Sequence, residues 1–199
     1  MRLLGGLAVG LVLISTQPQV QPRLAKADGD RFQAKLTRIV TLGSIPRKAK
    51  RAAESTVVSD AELNSYLRYH AQGQVPVGIV EPLLNAHGEG MVSGRAIVDL
   101  DAVRKQKQRG WLDPMGYLTG RLPLTVRGRL TTQGGVGRFE LAAAEISGMT
   151  VPKTVIQELL SFYSRTPEDP DGINMDDPFE LPAQIREIRV APGTATIVQ

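Results

Sequence analysis

Few residues in this chain could do covalent or metal chemistry. There is no Cys among the 199 residues, and His occurs twice, at His70 and His87. Disulfides, thiolate metal sites, a cysteine nucleophile and a lipid-modified N-terminal cysteine are therefore excluded, as is a multi-histidine metal centre. The densest group of donors is the acidic stretch PEDPDGINMDDPFE at 167–180. Asp169, Asp171, Asn174 and Asp176 are residues a calcium loop uses, but an EF-hand needs Gly sixth and a bidentate Glu twelfth. Counted from Asp169, Gly172 is fourth and Glu180 twelfth, so the register fails and a solvated, turn-rich loop is expected. No Gly-x-Ser-x-Gly, phosphate loop or dinucleotide fingerprint occurs. The acidic residues fall in loops or on polar strand faces, so no carboxylate pair can be assigned to hydrolysis. His70 falls on the apolar stripe of an expected helix without a local acidic or nucleophilic partner, which is the pattern of a packed histidine. The expectation is no catalytic residue, no metal, no cofactor and no enzyme.

The elements that must carry any function begin with an export pattern. After Met1-Arg2, Leu3 to Ile14 is an apolar run of 12 residues, right for a secretory leader and short for a membrane span. Ala25-Lys26-Ala27 offers a small-x-small site before Asp28. Cleavage after Ser15 and retention as an anchor are the alternatives. Residues 1–27 are read as leader or anchor, 28–54 as a basic, partly helical linker, and 55–199 as one domain. Residues 1–60 hold ten Lys/Arg against four Asp/Glu, whereas 61–199 hold fourteen against sixteen. The sequence pI of about 9.6 is thus a property of the N-terminal part. A near-neutral domain argues against a nucleic-acid groove. The basic segment suits an anionic membrane surface. Within it Phe32, Leu36, Ile39 and Val40 recur at helical spacing, as a helix on a membrane or one packed on its own domain would require.

Ser59 followed by Glu62 reads as a capping box, with Val58 and Leu63 as its hydrophobic staple. Leu63, Tyr66, Leu67 and His70 continue at i, i+3, i+4, i+7, giving a helix that ends near Gly73. Val77 to Leu84, with Gly78 and Pro82, reads as an irregular or edge strand. Val92, Gly94, Ala96, Val98 and Leu100 then alternate with polar residues. Leu122, Leu124, Val126, Gly128 and Leu130 repeat the pattern, and Gly134-Gly135 turns the chain into Val136 to Ile146. One apolar and one polar face describe an antiparallel sheet with a side in water. Small inward residues (Gly94, Ala96, Gly128, Ala143) allow curling, or close approach of a helix or ligand. Between the strands, Trp111, Leu112, Met115 and Tyr117 follow a basic run and are candidates for membrane contact. Pro152 opens a second amphipathic helix with Val155, Ile156, Leu159, Leu160 and Tyr163 on one face. Phe179–Pro182, Ile185–Val190 and Ala195–Val198 read as closing strands.

The order of elements over 55–199, with Gly148-Met149-Thr150-Val151-Pro152-Lys153, Pro178-Phe179-Glu180-Leu181-Pro182-Ala183-Gln184-Ile185 and the helix from Ser59, resembles small exported envelope proteins of the tubular lipid-binding (TULIP) type. The nearest comparison is the LmeA-like phospholipid-binding family. The chain is shorter than a full tubular domain. The resemblance implies an α+β fold, a TULIP-like half barrel. Its strongly curved antiparallel sheet of about five to six strands would wrap on two amphipathic helices, with an apolar groove between. The lining candidates are Leu63, Tyr66, Leu67, Val98, Leu124, Val126, Val155, Ile156, Leu159 and Tyr163, which are equally the residues an ordinary core would use. The function implied is non-enzymatic binding of a phospholipid or other hydrophobe in the envelope. The alternative is an envelope scaffold with a filled core. No protein partner is indicated.

Overall fold

The computed structural model describes residues 24–46, 52–102, 120–167 and 169–199, with the side chains of Phe162 and Tyr163 set aside. The fold is α+β. Helices α1 (Lys26–Ser44), α2 (Asp60–Tyr69) and α3 (Lys153–Ser164) accompany strands β1 (Ser55–Ser59), β2 (Ile79–Gly88), β3 (Met91–Asp99), β4 (Arg121–Gln133), β5 (Val136–Ile146), β6 (Met149–Thr150), β7 (Phe179–Glu180), β8 (Glu187–Ala191) and β9 (Thr194–Val198). One sheet has six strands in the order β2-β3-β4-β5-β6, with β7 also on β5. The other has three, β1-β9-β8. All pairings are antiparallel, and the larger sheet stays open.

The separate three-stranded sheet departs from the single sheet expected. β8 and β9 are only five residues each. Alternation over so short a span gives a face but no partner, and the partner is the strand preceding α2: Ser55 pairs Val198 and Ser59 pairs Thr194.

The core lies at this end of the molecule. Phe32, Val58, Tyr66 and Ala71 are buried together, with Leu36, Leu63, Leu67, Val75 and Ile197 packed against them. The Phe32 and Tyr66 rings sit 5.0 Å apart in a tilted contact. The stretch 28–54, read as a partly helical linker, contains most of the 19-residue α1, which turns Phe32 and Ile39 inward. The expected cut before Asp28 falls inside the first turn of this helix. Gly29 lets α1 approach α2: a Cβ there would meet Ser65 backbone at 3.1 Å. At its other end the helix is tied to the C-terminal segment, since Gln199 Nε2 donates to Ile39 O (2.9 Å) and Gln184 Nε2 to Gly43 O (2.6 Å).

The capping box of α2 is present: Glu62 N donates to Ser59 Oγ (3.2 Å) and Ser59 N to Glu62 Oε2 (3.0 Å). Helix α2 also closes the free edge of β2. The buried Asn64 amide donates to Leu84 O and accepts from Leu84 N, both at 2.7 Å. Asp60 accepts from Ala86 N at 3.1 Å. A helix side chain thus takes the role of a neighbouring strand, where the register shifts between Val80 and Leu83 and Glu81 adopts φ 51°. Gly134 and Gly135, at φ 60° and 89°, turn β4 into β5.

Candidate functional site

The register defines a continuous apolar face on the six-stranded sheet. Val92, Gly94, Ala96 and Val98 stand opposite Gly128, Val126, Leu124 and Leu122. On β5, Ile146, Ala144, Leu141 and Phe139 stand opposite Leu124, Val126, Gly128 and Leu130. A bulge beside Arg127/Gly128 gives β5 one extra residue, which keeps Ala144 and Leu141 on the same side. Most of this face is half-buried: Val92, Ala96, Val98, Leu122, Leu124, Val126, Leu141 and Ile146 all are, while Ala144 is buried at 2% exposure.

Helix α3 covers the face incompletely. It touches β5, and its Ile156, Leu159 and Leu160 are half-buried while Val155 is exposed. The loop after it folds back along the helix. Gln157 Nε2 and Ser161 Oγ donate to Ile173 O (3.0 and 3.1 Å), Ile173 N donates to Ser164 Oγ (2.6 Å), and Lys153 pairs with Asp176. The acidic residues of 169–177 therefore serve turns and helix contacts, and no metal-competent group of His, Asp and Glu occurs among the described residues. Where loop, helix and sheet meet, an open pocket of ≈ 670 Å³ is lined by Phe139, Leu160, Ile173, Met175 and Phe179 and equally by Asp169, Asp171, Asn174 and Asp177.

The lining candidates separate into three groups. Leu63, Tyr66 and Leu67 pack in the closed core with Phe32 and Val58. Their i, i+3, i+4 spacing marks a buried stripe without saying what buries it. Val98, Leu124 and Val126 share the sheet face. Val155, Ile156 and Leu159 lie on α3. The side chain of Tyr163 lies outside the described parts, as do Trp111, Leu112, Met115, Tyr117 and the apolar run Leu3–Ile14. The small residues also behave differently from a ligand cradle. The Phe139 ring occupies the space over Gly128, the Phe179 ring that over Gly137, and Leu84 lies against Gly94. Ala143 is exposed on the opposite side, shifted there by the bulge. Phe139, Leu160, Ile173, Met175 and Phe179 are pocket residues that the lining candidates leave out. The alternation of β5 carries Phe139, whereas the two-residue β7 has no periodicity to read.

The titratable groups near the core are structural. Glu62, with a side chain 9% exposed, accepts Lys35 Nζ at 2.6 Å. Burial raises its carboxyl, but the bonds from Lys35 and Ser59 outweigh burial and hold it below the ordinary range. His70 stacks on Tyr66 at 5.9 Å, and its Nε2 lies 2.8 Å from Asp30 Oδ1. The Lys26 ammonium, ahead of His70, holds the Asp30 carboxyl below its ordinary value. The acidic neighbour that His70 lacks locally thus comes from α1. His87 bonds Ser93 Oγ at 2.7 Å on the solvent side of the sheet. The two histidines sit on different elements, one on each side of the α2–β2 junction, and share no described partner.

No described helix is long and apolar enough to cross a membrane. No family model and no curated protein matches the chain. Among solved structures, one described as the crystal structure of lipopolysaccharide binding protein aligns with a TM-score of 0.23 and 14% identity. The alignment covers 78% of this chain and 45% of that one, so this chain spans less than half of that protein's length. At that TM-score the likeness establishes neither a shared fold nor a shared ligand.

Proposed function

We propose that this chain is an exported, non-enzymatic protein of the cell envelope that holds an acyl chain, or a similar hydrophobe, against the apolar face of the six-stranded sheet. The observation that carries the reading is the division of the apolar residues. A closed core sits between α1, α2 and the small sheet, while the larger apolar face stays half-buried and runs toward an open pocket at Phe139. Such a face is stabilised by an apolar occupant. About ten buried methylenes supply about 8 kcal/mol, the equivalent of a micromolar Kd before ordering costs. The resemblance to tubular lipid-binding proteins points the same way.

One observation favours the scaffold alternative: Phe139, Phe179 and Leu84 already fill the space over the three glycines. Native mass spectrometry of the full chain, purified without detergent and followed by organic extraction, separates the two. A stoichiometric phospholipid or other hydrophobe is expected. A mass that stays that of the bare chain after incubation with liposomes excludes the carrier and leaves the scaffold.

A further inference from the structure

The face of the sheet opposite the apolar one carries its own pattern. Arg95 stands opposite Thr125, Arg127 opposite Ser93 and Arg129 opposite Met91, while Arg138 stands opposite Thr131. Arg95 to Arg127 is therefore a cross-strand diagonal, Arg127 to Arg129 one step of two residues, and Arg129 to Arg138 a second diagonal. Each step is about 7 Å, and the four make one oblique stripe across β3, β4 and β5. All four are exposed. Arg95, Arg127 and Arg138 have no ion-pair or hydrogen-bond partner among the described residues, and Arg129 donates only to the neutral Glu89 carbonyl, at 2.5 Å. Of the carboxylates on this face, Asp99 is taken by Arg121 at 3.0 Å. Glu140 stands opposite Arg129 and Glu145 opposite Thr125, and neither forms an ion pair with the stripe.

The described cations of α1 contrast with this. Lys26, Arg31, Lys35 and Arg38 are paired with Asp30, Asp28, Glu62 and Glu54. Two of these pairs lie within the helix, and two reach Glu62 and Glu54 outside it. The unmatched cations are on the sheet, exposed and spaced in steps, where their summed positive potential attracts an external anion.

Two further features select the anion. The described residues of this face include no Phe, Tyr or Trp on which a base could stack, and the His87 ring is held by its bond to Ser93 Oγ. Apolar groups are interspersed instead: Met91, Pro123 and Val136 share the face. Beside Arg127 an open pocket of ≈ 630 Å³ is lined by Met91, Val190, Ala191 and Pro192 together with His87, Gly88 and Glu89. Cationic groups beside small apolar walls suit a phosphate-bearing lipid headgroup better than a soluble polyanion.

We propose that the Arg95–Arg127–Arg129–Arg138 stripe docks the protein on an anionic phospholipid surface. The proposal does not depend on acyl-chain binding, because docking this face leaves the apolar face pointing away from the bilayer.

The test is partitioning of the full chain onto vesicles of phosphatidylglycerol and phosphatidylcholine, with pure phosphatidylcholine for comparison, at low and at 0.15 M salt. R95Q/R127Q/R129Q is compared with K26Q/R68Q/R189Q, which removes equal charge elsewhere, and with R95K/R127K/R129K. An arginine near an anionic surface contributes about fivefold, so the stripe variant is expected to lose on the order of 100-fold in partitioning. The lysine variant should retain most of it, and the off-stripe variant should lose only a few-fold. Equal losses in the stripe and off-stripe variants, or partitioning indifferent to phosphatidylglycerol, would overturn the proposal. So would binding of double-stranded DNA as tight as that of the vesicles, which would assign the stripe to nucleic acid. A chain that docks through the stripe yet yields no extractable lipid would reject the carrier reading alone.

Discussion

Asn64→Ala is expected to be among the costliest polar substitutions in the chain. Asn64 is completely buried, and its amide closes two bonds of 2.7 Å to the Leu84 backbone. Each neutral bond contributes about 1 kcal/mol net, and a donor or acceptor stranded away from water costs about 1–3 kcal/mol. Leu84 is 41% exposed as a residue, so part of its backbone can regain water in the variant. The estimate is therefore about 2–4 kcal/mol, or roughly 5–15 °C in Tm for a domain of this size. Asn64→Asp separates hydrogen bonding from packing, because it keeps the shape and one acceptor but loses the donor to Leu84 O. A carboxylate buried against a carbonyl is pushed toward its neutral form. The protonated acid can donate, so its raised folded-state pKa makes the variant's deficit largest near neutral pH and smaller in acid. Urea unfolding of the wild type and both variants from pH 4 to 8 measures this. A loss below about 0.5 kcal/mol in Asn64→Ala, or an Asn64→Asp deficit that does not move with pH, would show that the edge of β2 does not rely on this side chain.

Phe32→Ala should cost about 3–5 kcal/mol by denaturant unfolding, the usual loss for a fully buried ring. Leu124→Gln should cost under about 1.5 kcal/mol, because the side chain is only half-buried, yet reduce copurifying lipid several-fold in the extraction assay. Glu62 has a depressed folded-state pKa, so its stabilisation is complete above the ordinary glutamate range and is lost as pH falls through the depressed value. Glu62→Gln should accordingly lie about 1–2 kcal/mol below the wild type near neutral pH, and the gap should close in acid, as read by Tm against pH.

The elements legible in the sequence are those specified by neighbours in the chain. Ser59 and Glu62 specify the start of α2, Gly134-Gly135 the β4–β5 turn, and Pro152 the start of α3, each through contacts within a few residues. The alternation of β3 and β4 gives the two faces of the sheet correctly. Long-range partners are the part it does not contain. Nothing near Thr194–Val198 says that it pairs with Ser55–Ser59, and nothing near Phe32 says that Tyr66 receives it. The same limit divides the groove candidates, since Leu63 and Val98 look alike as apolar residues on periodic elements. Only the docking of α1 closes the surroundings of the first. The close approach that the small residues allow is taken at Gly128 by the sheet itself: Phe139 stands across from Leu130, next to Gly128, and its ring folds over the gap that the glycine leaves.

The division of labour within the fold gives the lipid reading its physical basis. A sheet whose apolar face is the only core cannot leave that face open, because the face must repay the entropy of ordering the chain. Here α1, α2 and the small sheet supply a closed core, and the larger sheet is fastened to it through bonds between side chains and backbone. Asn64 and Asp60 hold β2, and Thr132 Oγ1 accepts from Ile188 N at 2.7 Å, tying β4 to β8. The six strands are held at an edge and an end, and most apolar residues of the face between are half-buried. This arrangement requires stability and lipid content to respond to different residues. If Leu124→Gln unfolds the chain as severely as Phe32→Ala does, the face is core and the scaffold is the correct description. If the two substitutions separate as expected, the face is a surface that folding does not need.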